Sequence, residues 1–486
     1  MKIAVVGGGT AGFVSALILK TSFPNFEIDV IRSTKIGTIG VGEGSTEHWS
    51  AFMDFVGIKA GELINKCDAS FKSGIMFEDW SEKPYLQSVH EPYVAEQLGT
   101  PIAYAKLIGE KIDARELTGE YLWKNETPYN KFMDERPNET GVSQYHFNTA
   151  KLNDFLTNFC IDKGINVFDD EITDVILNDF GNVRQIKSES NTYEYDFYID
   201  STGFRRLLIN AVGAEWQSYS KYLKMKEAIV FPTPEGDEIP IWTLAKAMDA
   251  GWMFRIPVQG RTGNGYIFDS DFITAEQAQI EVEKYLGHSV EVAKNIKFDP
   301  GTLDKAWIGN VCAIGLSQSF VEPLEASSIG SSINQTFLLA QRLTNYNKET
   351  INRYNLEVTA IMDNIRDFIV LHYITQRRDT PFWKAVSEVT LPDSLEKNLR
   401  MWKVRMPIAD DMTTHTKKIL FNEYNYALVM HGLGLFDNDS ILKQYETIPQ
   451  GAKDHVENSI QQKLEFDKTK TIPHKMMLQL LRRLTS

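Results

Sequence analysis

The sequence predicts an α/β protein in which a Rossmann-like unit is interleaved with a second β-sheet unit, ahead of a helical C-terminal part. Three observations carry this. A glycine-rich turn at residues 7–12 joins an apolar strand to a helix. Two later segments, near residues 145–205 and 305–335, add strands and polar turns that belong with the first. From about Ser331 helical patterns run to the end, with no low-complexity linker and no internal repeat. The division implied is 1–335 for the interleaved unit and 336–486 for the helical one.

Each element has its own signal. Lys2-Ile3-Ala4-Val5-Val6 is a short apolar run ending in glycines, the mark of a buried parallel strand. Ala11–Lys20 reads as a helix and Phe26–Ile31 as the next strand, giving βαβ. Gly141–Gly164 begins as a strand edge and continues as a helix with Leu152, Phe155, Leu156 and Phe159 on its apolar side. Asn166–Val175 and Asn182–Ile199 read as strands, the second closing on Asp200-Ser201-Thr202-Gly203. Several strand-like runs follow between residues 215 and 300, among them Ala228–Phe231 and Gly265–Phe268. Val311–Leu316 is a further apolar strand that enters a Ser/Glu/Pro turn.

Composition narrows the function classes. A chain of 486 residues exceeds the usual size of one core, so two or more packed units are expected. Hydrophobic residues at 43% argue against wholesale disorder. A net charge of −14, with no dense Lys/Arg run, argues against a nucleic-acid partner. Cys67, Cys160 and Cys312 are odd in number and widely spaced, so they fit neither a disulfide framework nor a metal site. The apolar N-terminus has one Lys and is studded with glycines, unlike a signal peptide. No apolar run approaches the roughly 20 residues that span a bilayer. The expectation is a cytoplasmic protein with no membrane partner and no metal.

The sharpest local signal is Gly7-Gly8-Gly9-Thr10-Ala11-Gly12. Gly7 permits the tight turn, Gly9 lets the backbone approach a pyrophosphate, and Gly12 allows close helix–strand packing. The helix start then offers free N–H groups to phosphates. Arg32 stands where an acid for a ribose is usual, which favours a 2′-phosphate and NADP. Two features outweigh it. Ile39-Gly40-Val41-Gly42-Glu43-Gly44-Ser45-Thr46 is a second glycine-rich loop, and Asp200–Arg205 is an acid–glycine loop at a strand end. FAD enzymes return to their cofactor from several distant segments in this way, so the unit is of the FAD-binding, flavin monooxygenase type. No second fingerprint exists for a nicotinamide cofactor, so a separate flavin reductase is expected to supply FADH2.

Over most of its length the chain resembles the flavin-dependent tryptophan halogenases. The likeness rests on Gly7–Gly12, on Gly40–Glu43, and on Ser70-Phe71-Lys72-Ser73-Gly74-Ile75, which resembles the family's lysine-bearing segment. Tyr145-His146-Phe147-Asn148 has Asn for the family's Asp. Trp252-Met253-Phe254-Arg255-Ile256-Pro257 matches WxWxIP with Phe for the second Trp. Glu322-Pro323-Leu324-Glu325-Ala326-Ser327-Ser328-Ile329 matches EPLESTxI. Arg261–Tyr266, Ile365–Ile369, Leu371-His372-Tyr373 and Asp379–Trp383 follow in family order, and the last hundred residues match less closely.

The resemblance implies halogenation of an electron-rich aromatic compound with FADH2, oxygen and a halide, through hypohalous acid. Lys72 would be the catalytic lysine that holds this oxidant. By position alone it would be a solvated strand lysine, with Phe71, Ile75 and Phe77 alternating on the opposite face. Glu325 would accept the proton that the ring loses, although it could equally be an acid at a helix start. Glu322 is the competing carboxylate. Ser327 and Ser328, where the family has Thr-Gly, would bind halide through backbone N–H groups. FAD contacts map to Gly7, Gly9, Thr10, Ala11, Gly12, Ser33, Ile39, Val41, Ile172, Leu316 and Ile329. Trp252 and Phe254 would wall off the flavin. The substrate, free or carrier-tethered, could be a phenol, pyrrole or indole, and Tyr426 stands where relatives often have Trp. The halide and a homo-oligomeric state stay open. An aromatic monooxygenase and a flavin-binding regulatory protein are the alternatives, and Lys72 with the Trp252–Pro257 motif weighs against both.

Overall fold

The structure, a computed structural model, describes residues 1–37, 43–88, 105–106, 108, 119–129, 132–412, 416, 418–469 and 471–485. The nucleotide-type unit is a six-stranded sheet in the order Trp307–Ile308, Val311–Ala313, Phe197–Asp200, Lys2–Val6, Glu27–Arg32, Asn166–Asp169. Its strands are parallel except for the edge pair Trp307–Ile308 and Val311–Ala313. Segments far apart in the chain thus build one sheet, as the interleaved reading requires. Lys2–Val6 is central and apolar on both faces. Ile3 and Val5 feed one core cluster, Ala4 and Val6 another.

The helix Thr10–Ser22 is buried almost all round, from Phe13 to Leu19. It packs against the helices Ser327–Ala340 and Thr149–Asp162. Ser15 Oγ and Thr336 Oγ1 meet at 3.0 Å, so the two helices approach through small hydrogen-bonded side chains.

The second sheet has seven strands in the order Lys294–Lys297, Glu227–Pro234, Arg261–Phe268, Gly251–Val258, Trp242–Met248, Gly74–Glu78, Tyr85–Ser88. All pairs are antiparallel except Trp242–Met248 with Gly74–Glu78. That parallel pairing draws the strands Gly74–Glu78 and Tyr85–Ser88 out of the first half of the chain into the second sheet.

The helical part is led by Lys348–His372, started by Asn347 Oδ1 accepting from Thr350 N at 2.9 Å. Tyr354, Val358, Ile361, Ile365, Phe368 and His372 recur at helical spacing and are buried. The C-terminus returns to the first half: Thr471–Pro473 pairs with Glu126–Pro128, and His474–Thr485 packs on Ala60–Lys66.

Two expectations change in detail. The stretches 166–175 and 182–199 form five short strands, because polar groups pin turns between them. Asp170 Oδ2 accepts from Ser188, Asn191 and Tyr193, and Asn178 Oδ1 accepts from Phe180 N and Asn182 N. The helix foreseen from Ser331 begins at Ser327, directly after the strained residue Ala326 at φ 51°.

Candidate active site

A cavity of about 890 Å³ lies between the two sheets and the helix starts. It is lined by Gly7, Gly9, Thr10, Ala11, Gly12, Ser33, Ile172, Leu316 and Ile329, the described members of the set mapped to FAD. Ile39 and Val41 lie outside the described residues. The glycine geometry matches the three roles assigned from spacing. Gly7 turns at φ 123°, and a Cβ there would stand 2.0 Å from Ser201 O. A Cβ on Gly12 would meet Gly7 O at 2.1 Å, whereas one on Gly9 would meet nothing within 4 Å. A dinucleotide therefore has backbone to approach at Gly9 and the helix N-terminus at Thr10. The cradle fits FAD.

Neighbouring polar residues hold this cradle. Thr10 Oγ1 donates to Glu43 Oε2 at 3.0 Å, joining the helix start to the second glycine-rich loop. Arg32 is engaged by Thr157, to which Nη1 donates at 3.0 Å. Asp200 does not line the cavity. Its Oδ2 accepts from Leu208 N and Ile209 N, each at 2.8 Å, and its Oδ1 accepts from Thr202 N, Thr202 Oγ1 and Ser317 Oγ. The acid shapes the loop, and Ser201–Arg205 reach the cavity.

Lys72 sits where the chain changes sheets. Ser70–Phe71 belongs to a three-stranded sheet and Gly74–Glu78 to the seven-stranded one, so Phe71 shares no face with Ile75 and Phe77. Lys72 N donates to Gln144 O and Ser73 N to Ile241 O, which fixes the crossing. The lysine is 1% exposed, far from a solvated strand residue. Its Nζ donates to Ser45 O at 2.8 Å. Burial pushes the amine down to about 8, against the opposing pull of Glu325 and Glu47. A Cβ on Gly44 would lie 3.5 Å from both Lys72 Cδ and Ala326 Cβ, so the lysine stem lies beside the turn that carries Glu325.

Glu322 and Glu325 flank one 3₁₀ turn, Pro323–Glu325, and both are buried. The end of the long helix separates their surroundings. Glu322 Oε2 accepts from Trp252 Nε1 at 2.7 Å and from the Tyr373 hydroxyl, while Oε1 has no partner. Burial pushes this carboxyl up to about 7. Glu325 Oε1 lies 2.8 Å from His372 Nε2, a short contact but not a linear hydrogen bond. With the Gln87 amide turned to give every group a partner, its nitrogen donates to Glu325 Oε2 and Oε1 at 2.8 and 3.1 Å. Its oxygen then accepts from Asn425 Nδ2 at 3.2 Å.

The two aromatics of the Trp252–Pro257 motif diverge. Phe254 lines the cavity, and Trp252 is committed to Glu322. A Cβ on Gly265, opposite on the paired strand, would stand 2.5 Å from Phe254 Cε1 and Cζ. Gly265 is therefore what lets the ring lie there. Ser327 and Ser328 are the first two residues of their helix and line the cavity, so their N–H groups have no carbonyl a turn earlier. Tyr426 packs into the core against Trp402 and Phe368, its hydroxyl donating to Asn364 O at 3.2 Å. The Asn422–Tyr426 stretch is a helix cap, with Asn422 Oδ1 accepting from Tyr424 N and Asn425 N.

Sequence reasoning assigned no role to His372 or Gln87. The signal for His372 was a lone histidine inside an apolar helical pattern, which is more often core than site.

Comparison with known proteins agrees with this geometry. A family model described as tryptophan halogenase matches residues 2–445. Tryptophan 6-halogenase SttH of Streptomyces toxytricini is 30% identical over 472 residues, 89% of each chain. Tryptophan 7-halogenase RebH of Lentzea aerocolonigenes is 30% identical over 478 residues, again 89% of each. The crystal structure of a tryptophan halogenase from Shewanella frigidimarina superposes with a TM-score of 0.90 at 26% identity, covering 99% of this chain and 98% of that one.

Proposed function

The chain belongs to the tryptophan halogenase family and is an enzyme, and from that membership we propose that it halogenates an indole such as tryptophan, the substrate for which its relatives are named. Gly7, Gly9, Thr10, Ala11, Gly12, Ser33, Ile172, Leu316 and Ile329 would hold FAD in the cavity they line. What FADH2 and oxygen supply at such a site is the oxidising power that turns a halide into hypohalous acid.

The chain's own residues then have separate tasks. The backbone N–H groups of Ser327 and Ser328 hold the halide at the helix start. Lys72 takes up the hypohalous acid, by hydrogen bond or as a haloamine, and keeps it from diffusing. Glu325 accepts the proton that the halogenated ring sheds. Phe254 closes the cavity wall. The observation that carries this reading is the buried Lys72 amine, held down to about 8. An amine so placed loses its proton near pH 8, well below an ordinary lysine, so a neutral, nucleophilic fraction is present close to physiological pH. A hydroxylating flavoenzyme has no need of it.

The partners that follow are an aromatic small molecule and a separate flavin reductase. The acidic net charge and the three unpaired, buried cysteines support a cytoplasmic setting. Among the described residues no helix is long and apolar enough to cross a membrane. The test supplies FADH2, oxygen and each halide to a panel of indoles, pyrroles and phenols, with mass spectrometry as the readout. Mass gains of one halogen on an indole are expected. Hydroxylated products without halogenated ones would overturn the reading.

A further inference from the structure

Lys72 lies in a four-residue crossing between two sheets, and each residue of that crossing is tied down. Ser70 and Phe71 form an edge strand of the three-stranded sheet, beside Tyr145–Phe147. The Ser70 hydroxyl donates to Pro257 O at 2.5 Å, with His146 Nδ1 3.2 Å from the same oxygen. Lys72 N donates to Gln144 O at 3.0 Å, and Ser73 N donates to Ile241 O at 2.7 Å. Phe71 is fully buried, so its N–H on the sheet edge also needs an acceptor. That acceptor comes from the far end of the chain: Phe71 N donates to His474 Nε2 at 3.1 Å.

Two hydrogen bonds fix the state of this imidazole. His474 is fully buried, and its Nδ1 lies 2.9 Å from Ile239 O. A carbonyl oxygen only accepts, so Nδ1 carries the proton, and a main-chain N–H only donates, so Nε2 is bare. Burial pushes the group down to about 4, in keeping with a neutral ring. The ring also stacks on Phe71, with centroids 5.5 Å apart and planes 23° from parallel. Main-chain bonds set its place: His474 N donates to Asn125 O at 2.9 Å, next to the pairing of Thr471–Pro473 with Glu126–Pro128. The crossing is thereby closed on one short segment. Ser73 N reaches Ile241 O directly, and Phe71 N reaches Ile239 O through the imidazole. Lys72 is the residue held between these two ties to residues 239–241.

We propose that His474 is a positioning residue for halogenation, holding Phe71 so that the Lys72 amine stays buried against the Ser45 carbonyl. This rests on the halogenation reading above, in which Lys72 captures hypohalous acid. His474 touches no reacting group and acts through the main chain of Phe71. With no acceptor at Nε2, Phe71 N would be left unpaired in a dry interior, and the crossing could relieve this only by shifting to admit water. Water there would hydrate the ammonium form of Lys72 and undo part of the effect of burial. The amine would then keep its proton to higher pH, and less of it would be nucleophilic at pH 7. Glu325, Glu47 and His146 also act electrostatically with Lys72, and a substitution at His474 changes none of them.

Three variants separate the hydrogen bond from bulk. His474→Gln brings an amide oxygen close to where Nε2 stands, and that oxygen can accept from Phe71 N. His474→Asn reaches only as far as Nδ1, and His474→Leu fills space without a polar atom. The first measurement uses protein ¹³C-labelled at lysine Cε, free of flavin and halide, with the Lys72 signal identified by its loss in Lys72→Met. Lys72 should titrate near pH 8 in the wild type and in His474→Gln. In His474→Asn and His474→Leu it should titrate at least about one pH unit higher. With FADH2, oxygen, halide and the aromatic substrate at pH 7, these two should lose about tenfold or more in kcat, with KM and FAD affinity little changed. The same Lys72 titration in all four proteins would overturn the proposal, as would a His474→Gln that follows His474→Asn. Should the Asn and Leu variants not fold, the His474→Gln titration and ¹⁵N-histidine NMR of the wild type decide. His474, identified by the signals lost in His474→Gln, should show a protonated Nδ1 and a bare Nε2 at pH 7, and the other tautomer or an imidazolium overturns the proposal. A wild-type protein that halogenates no aromatic compound would instead sink the functional reading, while the lysine titrations still decide what His474 holds.

Discussion

Lys72 Nζ donates to Ser45 O at 2.8 Å, so the buried lysine is tied to the glycine-rich loop that borders the flavin cavity. This one bond is small compensation for taking an ammonium group out of water. The amine is held down to about 8 against an ordinary value of 10.5. In the folded state it therefore opposes stability wherever it is charged. The unfolded chain binds the extra proton between about 8 and 10.5, so this contribution makes the fold more stable as pH rises through that window.

Lys72→Met is accordingly expected to raise thermal stability at pH 7, by up to about 3 kcal/mol for a shift of this size, while abolishing halogenation. Differential scanning calorimetry with a product assay checks both. A variant that lost stability would mean that the lysine is held by more than the Ser45 bond.

The same displacement sets a pH dependence. If the neutral amine captures hypohalous acid, single-turnover halogenation should climb with pH and level off above about 8. The rate of halide oxidation itself should not follow that curve. A profile falling across pH 7–8.5 would exclude the neutral amine as the capturing form.

Much of the cradle was legible because its logic is local. Gly7, Gly9 and Gly12 carry their roles in their spacing, and each found the steric setting that spacing implies. The Asp200–Arg205 loop was legible as a segment that returns to the cavity, but the part Asp200 plays in it was not, because an acid at a strand end looks the same whether it faces a ligand or collects the N–H groups of Leu208 and Ile209. The pairing of His372 with Glu325 was hidden for another reason. It depends on where a 25-residue helix ends against a 3₁₀ turn, which no local pattern encodes. Gly265 stood in a recognised motif, but its purpose appears only across the strand, under the ring of Phe254.

That cross-strand relation gives a third prediction. In Gly265→Ala the new methyl would stand 2.5 Å from two ring carbons of Phe254, with Val230 Cγ1 at 3.1 Å on its other side. The ring must swing, and the open direction is the flavin cavity it already lines. FAD affinity should fall at least tenfold, measured by flavin fluorescence on titration. The double variant Gly265→Ala with Phe254→Leu should recover most of it. Wild-type affinity in the single variant would mean that the strand pair yields instead.

The two buried carboxyls should part company when each is replaced by its amide. Glu325→Gln is expected to lower halogenation by roughly one to three orders of magnitude, the span of a positioned acid/base, with FAD binding intact. Glu322→Gln keeps an acceptor for Trp252 and Tyr373 and should leave turnover within a few-fold. Its signature is in stability. Because burial raises the Glu322 carboxyl to about 7 from 4.5, the wild-type fold loses stability from this group as pH rises between those values. In Glu322→Gln that part of the decline should vanish, as chemical denaturation at pH 5 and pH 7.5 would detect. Turnover losses of similar size in both variants would contradict the division of roles.

Halide choice depends on how the site at Ser327 and Ser328 treats a poorly hydrated anion. Ser327 is buried, whereas Ser328 is exposed and lines the cavity. The Ser328 carbonyl accepts from Ser331 Oγ at 3.1 Å and Ser332 Oγ at 2.8 Å, and as the first residues of the helix Ser327 and Ser328 have N–H groups without an intrahelical acceptor to offer an anion. Such a site offers partial positive charge but no full cation, so it repays little of the cost of stripping water from an ion. That cost is smaller for bromide and iodide than for chloride, and both are easier to oxidise. Ser327 also frees one methyl of volume where the family has Thr, although Ser328 returns a Cβ and a hydroxyl where it has Gly. Bromide or iodide should therefore be used at least as well as chloride when halides compete at equal concentration. A strong preference for chloride would mean that the site pays for desolvation in some way these N–H groups do not, and Ser328→Gly, which restores the family's residue, would then be the variant to compare.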